Sequence, residues 1–188
     1  PNYVHKKSYR KTEYELTLEH DVKVIKNLLK SQEQPTFFTG PYDQGIEYIT
    51  GSEPNDFERL AKALADIAKE PKSAIDIETN GLRPYFIADP KIWTCAVGTF
   101  DRVIAFPVDH PEGWGTEERR KRVWGLLGEF LMNSGAKAAH NLSMEMEWTQ
   151  YFFGDDPLRR TEWDDTMAMA HTFDERPGTK GLDIQTRI

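Results

Sequence analysis

The stretch Ala74-Ile75-Asp76-Ile77-Glu78-Thr79 decides how this chain is read. Ser73 to Ile77 reads as a strand, bounded by Pro71 before it and by Gly81 and Pro84 after it. Ala74, Ile75 and Ile77 make it apolar enough to predict a central place in a sheet. Asp76 and Glu78 stand two residues apart, so on a strand their side chains leave the same face. Two carboxylates at one strand end repel each other unless a cation sits between them. Taken alone, the pair also fits a strand edge in solvent or a cap on the next turn.

Outward from this strand the pattern alternates. Upstream, Phe57, Leu60, Ala61, Leu64, Ile67 and Ala68 predict a helix from about Asn55 to Lys69. Downstream, Trp93 to Phe100 and Val103 to Val108 predict two strands joined by a tight Asp101-Arg102 connection, and therefore paired antiparallel. Glu117 to Met132 is a helix with Val123, Leu126, Leu127, Phe130 and Leu131 facing inward. Lys137 to Ala139 is a short strand and Leu142 to Phe153 a helix stopped by Gly154. Thr161 to Trp163 is a further strand and Thr166 to Phe173 a further helix. Strands alternating with helices around an antiparallel pair predict an α/β fold with a mixed sheet flanked by helices. Residues 1 to 52 read as an irregular N-terminal extension. It holds a helical spacing of Leu18, Val22, Ile25, Leu28 and Leu29, a loop-rich stretch from Pro35 to Gly51, and a short strand at Ile46 to Thr50. The domain proper spans 53 to 188.

The chain has 188 residues, enough for one domain with a sizeable core. A formal net charge of −7 argues against holding nucleic acid by bulk electrostatics. It is compatible with a carboxylate-rich metal site, where cations restore the local balance. Lys6, Lys7, Arg10 and Lys11 form a basic arm without acids, read first as a solvated tail. Cys95 is the only cysteine and lies in an apolar run. A disulfide framework or a cysteine zinc site is thereby excluded, and a reducing, cytoplasmic setting fits. No apolar run approaches the roughly 20 residues of a spanning helix, so no membrane partner is expected. The chain starts at Pro1 rather than Met, as a processed protein or a fragment does.

Phosphodiester hydrolysis needs an activated water, a stabilised transition state and a stabilised leaving oxygen. Two Mg²⁺ or Mn²⁺ ions about 4 Å apart supply all three, and such ions take carboxylate oxygens. A second element can join Asp76 and Glu78. In His140-Asn141-Leu142-Ser143-Met144-Glu145 a strand runs into a helix, and the four-residue spacing puts Asn141 and Glu145 on one helical face. Asn141 can equally cap that helix, and Glu145 can be an exposed helical acid. The third element is Asp165-Thr166-Met167, where Asp165 is assigned a structural or supporting role beside the metal site. His140 and His171 are lone histidines and build no zinc site.

These elements in this order resemble the 3′→5′ proofreading exonuclease domain of family A DNA polymerases, in its phage-type members. The carrying stretches are Ala74 to Leu82, Ala105 to His110, His140 to Glu145, Asp165 to Met167 and Asp174 to Leu182. The resemblance covers about residue 55 to the end. Residues 1 to 50 match nothing known to us. The resemblance implies a ribonuclease H-like fold and membership of the DEDD exonuclease group. It implies that Asp76 and Glu78 are metal ligands and catalytic, with Glu145 standing where the second motif has Asp. It implies that Leu82 wedges against terminal bases, and that Thr79 and Asn141 lie along the substrate strand. Leu82 by itself reads either as a base-stacking residue or as ordinary core.

The activity so implied is hydrolysis of the 3′-terminal phosphodiester of single-stranded DNA, releasing nucleoside 5′-monophosphates with two Mg²⁺ or Mn²⁺ ions. The partner so implied is a polymerase domain, in the same longer chain or as a separate subunit. One motif has no counterpart: no Tyr-x-x-x-Asp follows Asp165 before Ile188. A truncated piece, a split protein completed by a partner, and a non-cleaving scaffold are all compatible with that. So is a stand-alone RNA-trimming exonuclease of the same group.

Overall fold

The computed structural model describes residues 46–133, 135–173 and 180–185, together with Val22, Lys23 and Lys26, which are helical. The chain divides into two compact units, Phe38–Thr166 and a second made of Pro1–Phe37 with Met167–Ile188. The basic arm, the Pro35 to Gly45 loop and the loop at 174–179 lie outside the described residues.

The larger unit is built on one six-stranded mixed sheet. Its strands are β1 (Ile46–Tyr48), β2 (Lys72–Thr79), β3 (Ile92–Gly98), β4 (Val103–Pro107), β5 (Ala136–Ala139) and β6 (Trp163–Asp165). They lie in the order β1-β4-β3-β2-β5-β6. β3 runs antiparallel to β2 and β4, whereas the β1/β4, β2/β5 and β5/β6 pairs are parallel. β2 is therefore interior to the sheet, as its apolar run predicts. The sheet also reaches back before residue 53. Ile46 pairs with Val103 and Tyr48 with Ala105, so the last part of the expected extension is an edge strand. β6 falls two residues later than expected, and Asp165 is its final residue.

One face of the inner strands builds the core. Ile75 lies opposite Val97 and Ile77 opposite Cys95, while Cys95 and Val97 lie opposite Phe106 and Ile104. All six side chains are buried. Pleat alternation sends Asp76 and Glu78 to the other face, where both are exposed.

Three longer helices belong to this unit: α1 (Asp56–Ile67), α2 (Glu117–Leu131) and α3 (Ser143–Phe153). α1 buries Leu60, Ala63, Leu64 and Ile67, a stripe of helical period. Asp56 anchors its start, accepting the Gly51 and Glu53 N–H groups at 2.8 and 3.2 Å. Gly51 cannot be replaced cheaply. It holds φ +80°, and a Cβ there would meet Trp114 at 2.7 Å. α2 begins at Thr116, whose hydroxyl accepts the Arg119 N–H. Trp124 of α2 packs on Phe152 and Phe153 of α3, at ring-centre distances of 4.6 and 5.4 Å, and holds α3 in place. A one-turn helix at Pro84–Phe86 and a short α4 (Asp156–Arg160), neither expected from sequence, complete the unit. α5 covers Thr166–Phe173, of which all but Thr166 belongs to the second unit, as does α6 (Leu182–Gln185). None of the described helices is long and apolar enough to cross a membrane.

Candidate active site

Asp76 and Glu78 arrive on β2 and project from the face opposite the core. Among the described residues, neither carboxylate has a hydrogen-bond or ion-pair partner. The register shifts by one residue between Glu78, opposite Thr94, and Thr79, opposite Ile92, so an irregularity in the ladder follows the second acid. Thr79 then closes the turn, its hydroxyl donating to the Gly81 carbonyl at 2.7 Å.

Glu145 arrives on α3. The buried residues of that helix are Glu145, Trp148 and Thr149, spaced three and four apart on one stripe. A carboxylate thus occupies an inward position where an apolar side chain is ordinary. It is 3% exposed, and its Oε2 has no hydrogen-bond partner among the described residues. Burial pushes the carboxyl up to about 7, and the charges of Asp76 and Asp165 add to the shift. The alternative of an exposed helical acid is thereby removed.

Asn141 is not on the same helical face as Glu145. α3 starts only at Ser143, and Asn141 sits ahead of it with φ 63°. Asn tolerates this left-handed conformation better than most residues, and here it makes the sharp turn from β5 into α3. Its N–H donates to Asp165 Oδ1 at 3.2 Å, and its own Oδ1 accepts the Ser143 hydroxyl at 3.2 Å. Asp165 therefore has a definite job, tying the β5–α3 turn to the end of β6. Beside it, His140 Nδ1 lies 3.0 Å from the Thr166 hydroxyl, which also donates to the Ala139 carbonyl.

Leu82 follows the carboxylate strand and is 80% exposed, which rules out ordinary core packing. Its carbonyl accepts the indole N–H of the buried Trp148 at 3.3 Å, so the turn that carries it is fixed from below. Leu82 and Asn141, far apart in sequence, line one groove of about 180 Å³ with Arg83, Ser143, Met144 and Glu147. Arg83 and Glu147 approach to 4.0 Å across it. Sequence reasoning had assigned no role to Arg83 or Glu147. The basic residue directly after Leu82 was the available signal.

The donor chemistry fits hard divalent cations, since the acids at hand are carboxylates and one buried oxygen has no hydrogen-bond partner among the described residues. Their present spacing is open: among the described residues, no three His, Cys, Asp or Glu side chains stand close enough to grip one ion. Cys95, beneath the site, is no ligand candidate. Burial first, then the charges of Asp76 and Glu145, push its thiol far above its ordinary range.

No protein-family model matches the chain, and no curated protein matches it either. Solved structures do. Escherichia coli RNase D, described as an exoribonuclease involved in structured RNA processing, superposes with a TM-score of 0.51 at 20% identity, over 75% of this chain and 32% of that one. A chain of the crystal structure of the yeast NOT1 MIF4G domain co-crystallized with CAF1 superposes with a TM-score of 0.53 at 10% identity, over 79% of each. The chain thus spans about a third of the RNase D chain, and the fold the two share is the ribonuclease H-like mixed sheet flanked by helices.

Proposed function

We propose that this chain is a metal-dependent 3′→5′ exonuclease region of the DEDD group, acting on the 3′ end of a single strand. One observation carries the reading: a buried Glu145 oxygen without a partner, in the field of Asp76 and Asp165. A buried acid of that kind favours either a proton or a cation. The fold shared with an exoribonuclease supports the cation. Asp76, Glu78 and Glu145 would hold Mg²⁺ or Mn²⁺. Two such ions, when bound, supply water activation and charge stabilisation at the phosphodiester.

The chain's own residues have separable tasks. Glu145 must lose its proton to act as a ligand, which sets a lower pH limit on activity. Leu82 and Asn141 line the groove that receives the terminal nucleotides, and the Thr79 hydroxyl keeps the turn between them and the acids closed. Asp165 keeps Asn141 in position through the backbone bond between them.

The sequence motifs favour a DNA polymerase context, with a polymerase domain in the same longer chain or as a separate subunit, and DNA proofreading as the task. The fold likeness to RNase D supports a second reading equally well, a stand-alone RNA-trimming enzyme. One assay covers both. Incubate 5′-labelled single strands of DNA and of RNA with the chain and Mn²⁺, beside Asp76→Ala. Stepwise shortening from the 3′ end that the variant lacks is the expected result, and the preferred strand separates the two contexts. Intact label on both strands, with no Mn²⁺ binding by calorimetry, overturns the nuclease reading.

A further inference from the structure

The chain continues from the groove residues Leu82 and Arg83 into an aromatic surface that neither the catalytic residues nor the core uses. The one-turn helix Pro84–Phe86 buries only its proline. Tyr85 is 56% and Phe86 83% exposed, directly after the exposed Leu82. Tyr85 is not loose. Its ring meets Tyr151 of α3 edge to face at 5.3 Å, and its hydroxyl lies 3.3 Å from Gln150 Oε1. Tyr151 is itself exposed at 42%. Trp148 fixes the start of this segment through the Leu82 carbonyl. Large aromatic rings held in place yet left in water cost solvation without adding to the core. Arg83, with its side chain 64% exposed, adds a cation within the same run.

We propose that Arg83, Phe86 and Tyr85, the last braced by Tyr151, form a stacking subsite for a single-stranded nucleic acid whose end lies in the Leu82–Asn141 groove. The chemistry selects this occupant. Aromatic faces stack on any base, and an adjacent guanidinium pairs with a backbone phosphate. A chain with net charge −7 has little bulk attraction for nucleic acid, so stacking must carry more of the affinity than charge does. A base-paired end offers no unstacked base to these rings, so the subsite also favours single strands over duplexes.

The inference rests on the exonuclease reading for the position of the strand end, and its test keeps the two apart. Measure binding of fluorescein-labelled dT3 and dT12 to the full chain by anisotropy, in Ca²⁺ and in EDTA, for the wild type, Phe86→Ala, Tyr85→Ala and Tyr85→Phe. The expected result is about tenfold weaker binding of dT12 to each alanine variant, within the range for loss of one stacked base. Binding of dT3, which offers fewer bases to the rings than dT12, should weaken less, and Tyr85→Phe should bind like the wild type. Phe86 makes no ring contact of its own, so circular dichroism and melting of Phe86→Ala should match the wild type. Equal dT12 affinity for wild type and Phe86→Ala overturns the subsite, as does equal weakening for dT3 and dT12. If dT12 binding falls as expected while no variant and no wild type shortens DNA in Mn²⁺, the subsite stands and the nuclease reading fails. If the wild type cleaves while Phe86→Ala leaves dT12 binding unchanged, the reverse holds.

Discussion

The backbone N–H of Asn141 donates to Asp165 Oδ1 at 3.2 Å, and through this bond the turn before α3 is fastened to the last residue of β6. The same Asp165 carboxylate also raises the proton affinity of Glu145. Its geometric and electrostatic effects separate by substitution. Asp165→Asn keeps an acceptor oxygen and removes the charge, so the Glu145 pKa should drop with little change in stability. Asp165→Ala removes both and should cost about 1 kcal/mol in urea unfolding. Carboxyl-detected NMR titration of Glu145 reads the first effect. An unchanged Glu145 titration in Asp165→Asn contradicts the electrostatic link.

Glu145 should make stability depend on pH in a defined window. Its carboxyl is raised from 4.5 in a free chain to about 7 in the fold. Below pH 4.5 both states carry the proton and no penalty arises. As pH climbs toward 7 the unfolded state ionises first, so the fold loses up to about 3 kcal/mol, and above 7 the loss is constant. Glu145→Gln should flatten this slope in denaturant titrations between pH 4.5 and 7. Mg²⁺ or Mn²⁺ should raise the melting temperature of the wild type more at pH 8 than at pH 5, because only the ionised carboxylate is a ligand.

Leu82 and Trp148 share one hydrogen bond but should respond oppositely to truncation. Leu82→Ala leaves its backbone carbonyl in place and removes only exposed surface, so unfolding should shift by no more than about 0.5 kcal/mol. Its effect should appear in KM for a single strand. Trp148→Ala opens a cavity in the core and should cost about 3–5 kcal/mol. Calorimetric melting of the pair, beside steady-state kinetics on the first, distinguishes a substrate contact from a packing residue.

Asp76→Asn keeps the size and polarity of the side chain and removes its charge. If β2 supplies metal ligands, Mn²⁺-dependent shortening of a single strand should fall by at least about 100-fold. Because Asp76 is exposed and has no hydrogen-bond or ion-pair partner among the described residues, the melting temperature without metal should hold or rise. A large loss of stability would instead mean that Asp76 supports the fold.

How much could be read in advance depended on what each residue's neighbours reveal. β2 was legible because Ile75 and Ile77 alternate with two acids, and the pleat turns that alternation into two faces. Glu145 was legible as a candidate but not as a buried group. Its helix carries Ser143, Glu147 and Gln150 around it, and only the contacts of Trp148 with the Leu82 carbonyl and of Phe152 with Trp124 decide which stripe faces inward. Four-residue spacing puts Asn141 on the face of Glu145, yet Asn141 sits two residues ahead of the helix start, because spacing carries no information on φ and the positive value at this turn is a backbone property. β6 was drawn two residues early because aspartate is depleted in strands, yet Asp164 and Asp165 pair with Ala138 and Ala139. The Arg83–Phe86 surface was missed because a single short turn has no periodicity to detect.

The buried position of Cys95 has a practical outcome. It is the chain's sole cysteine, it is 1% exposed, and its neighbours suppress thiolate formation. In the native fold it should ignore maleimides and iodoacetamide at neutral pH. A cysteine introduced at an exposed position such as Phe100 is then the one that reacts. Spin labels or fluorophores can be attached there, and distances to a bound strand measured, without first rebuilding the floor of the site.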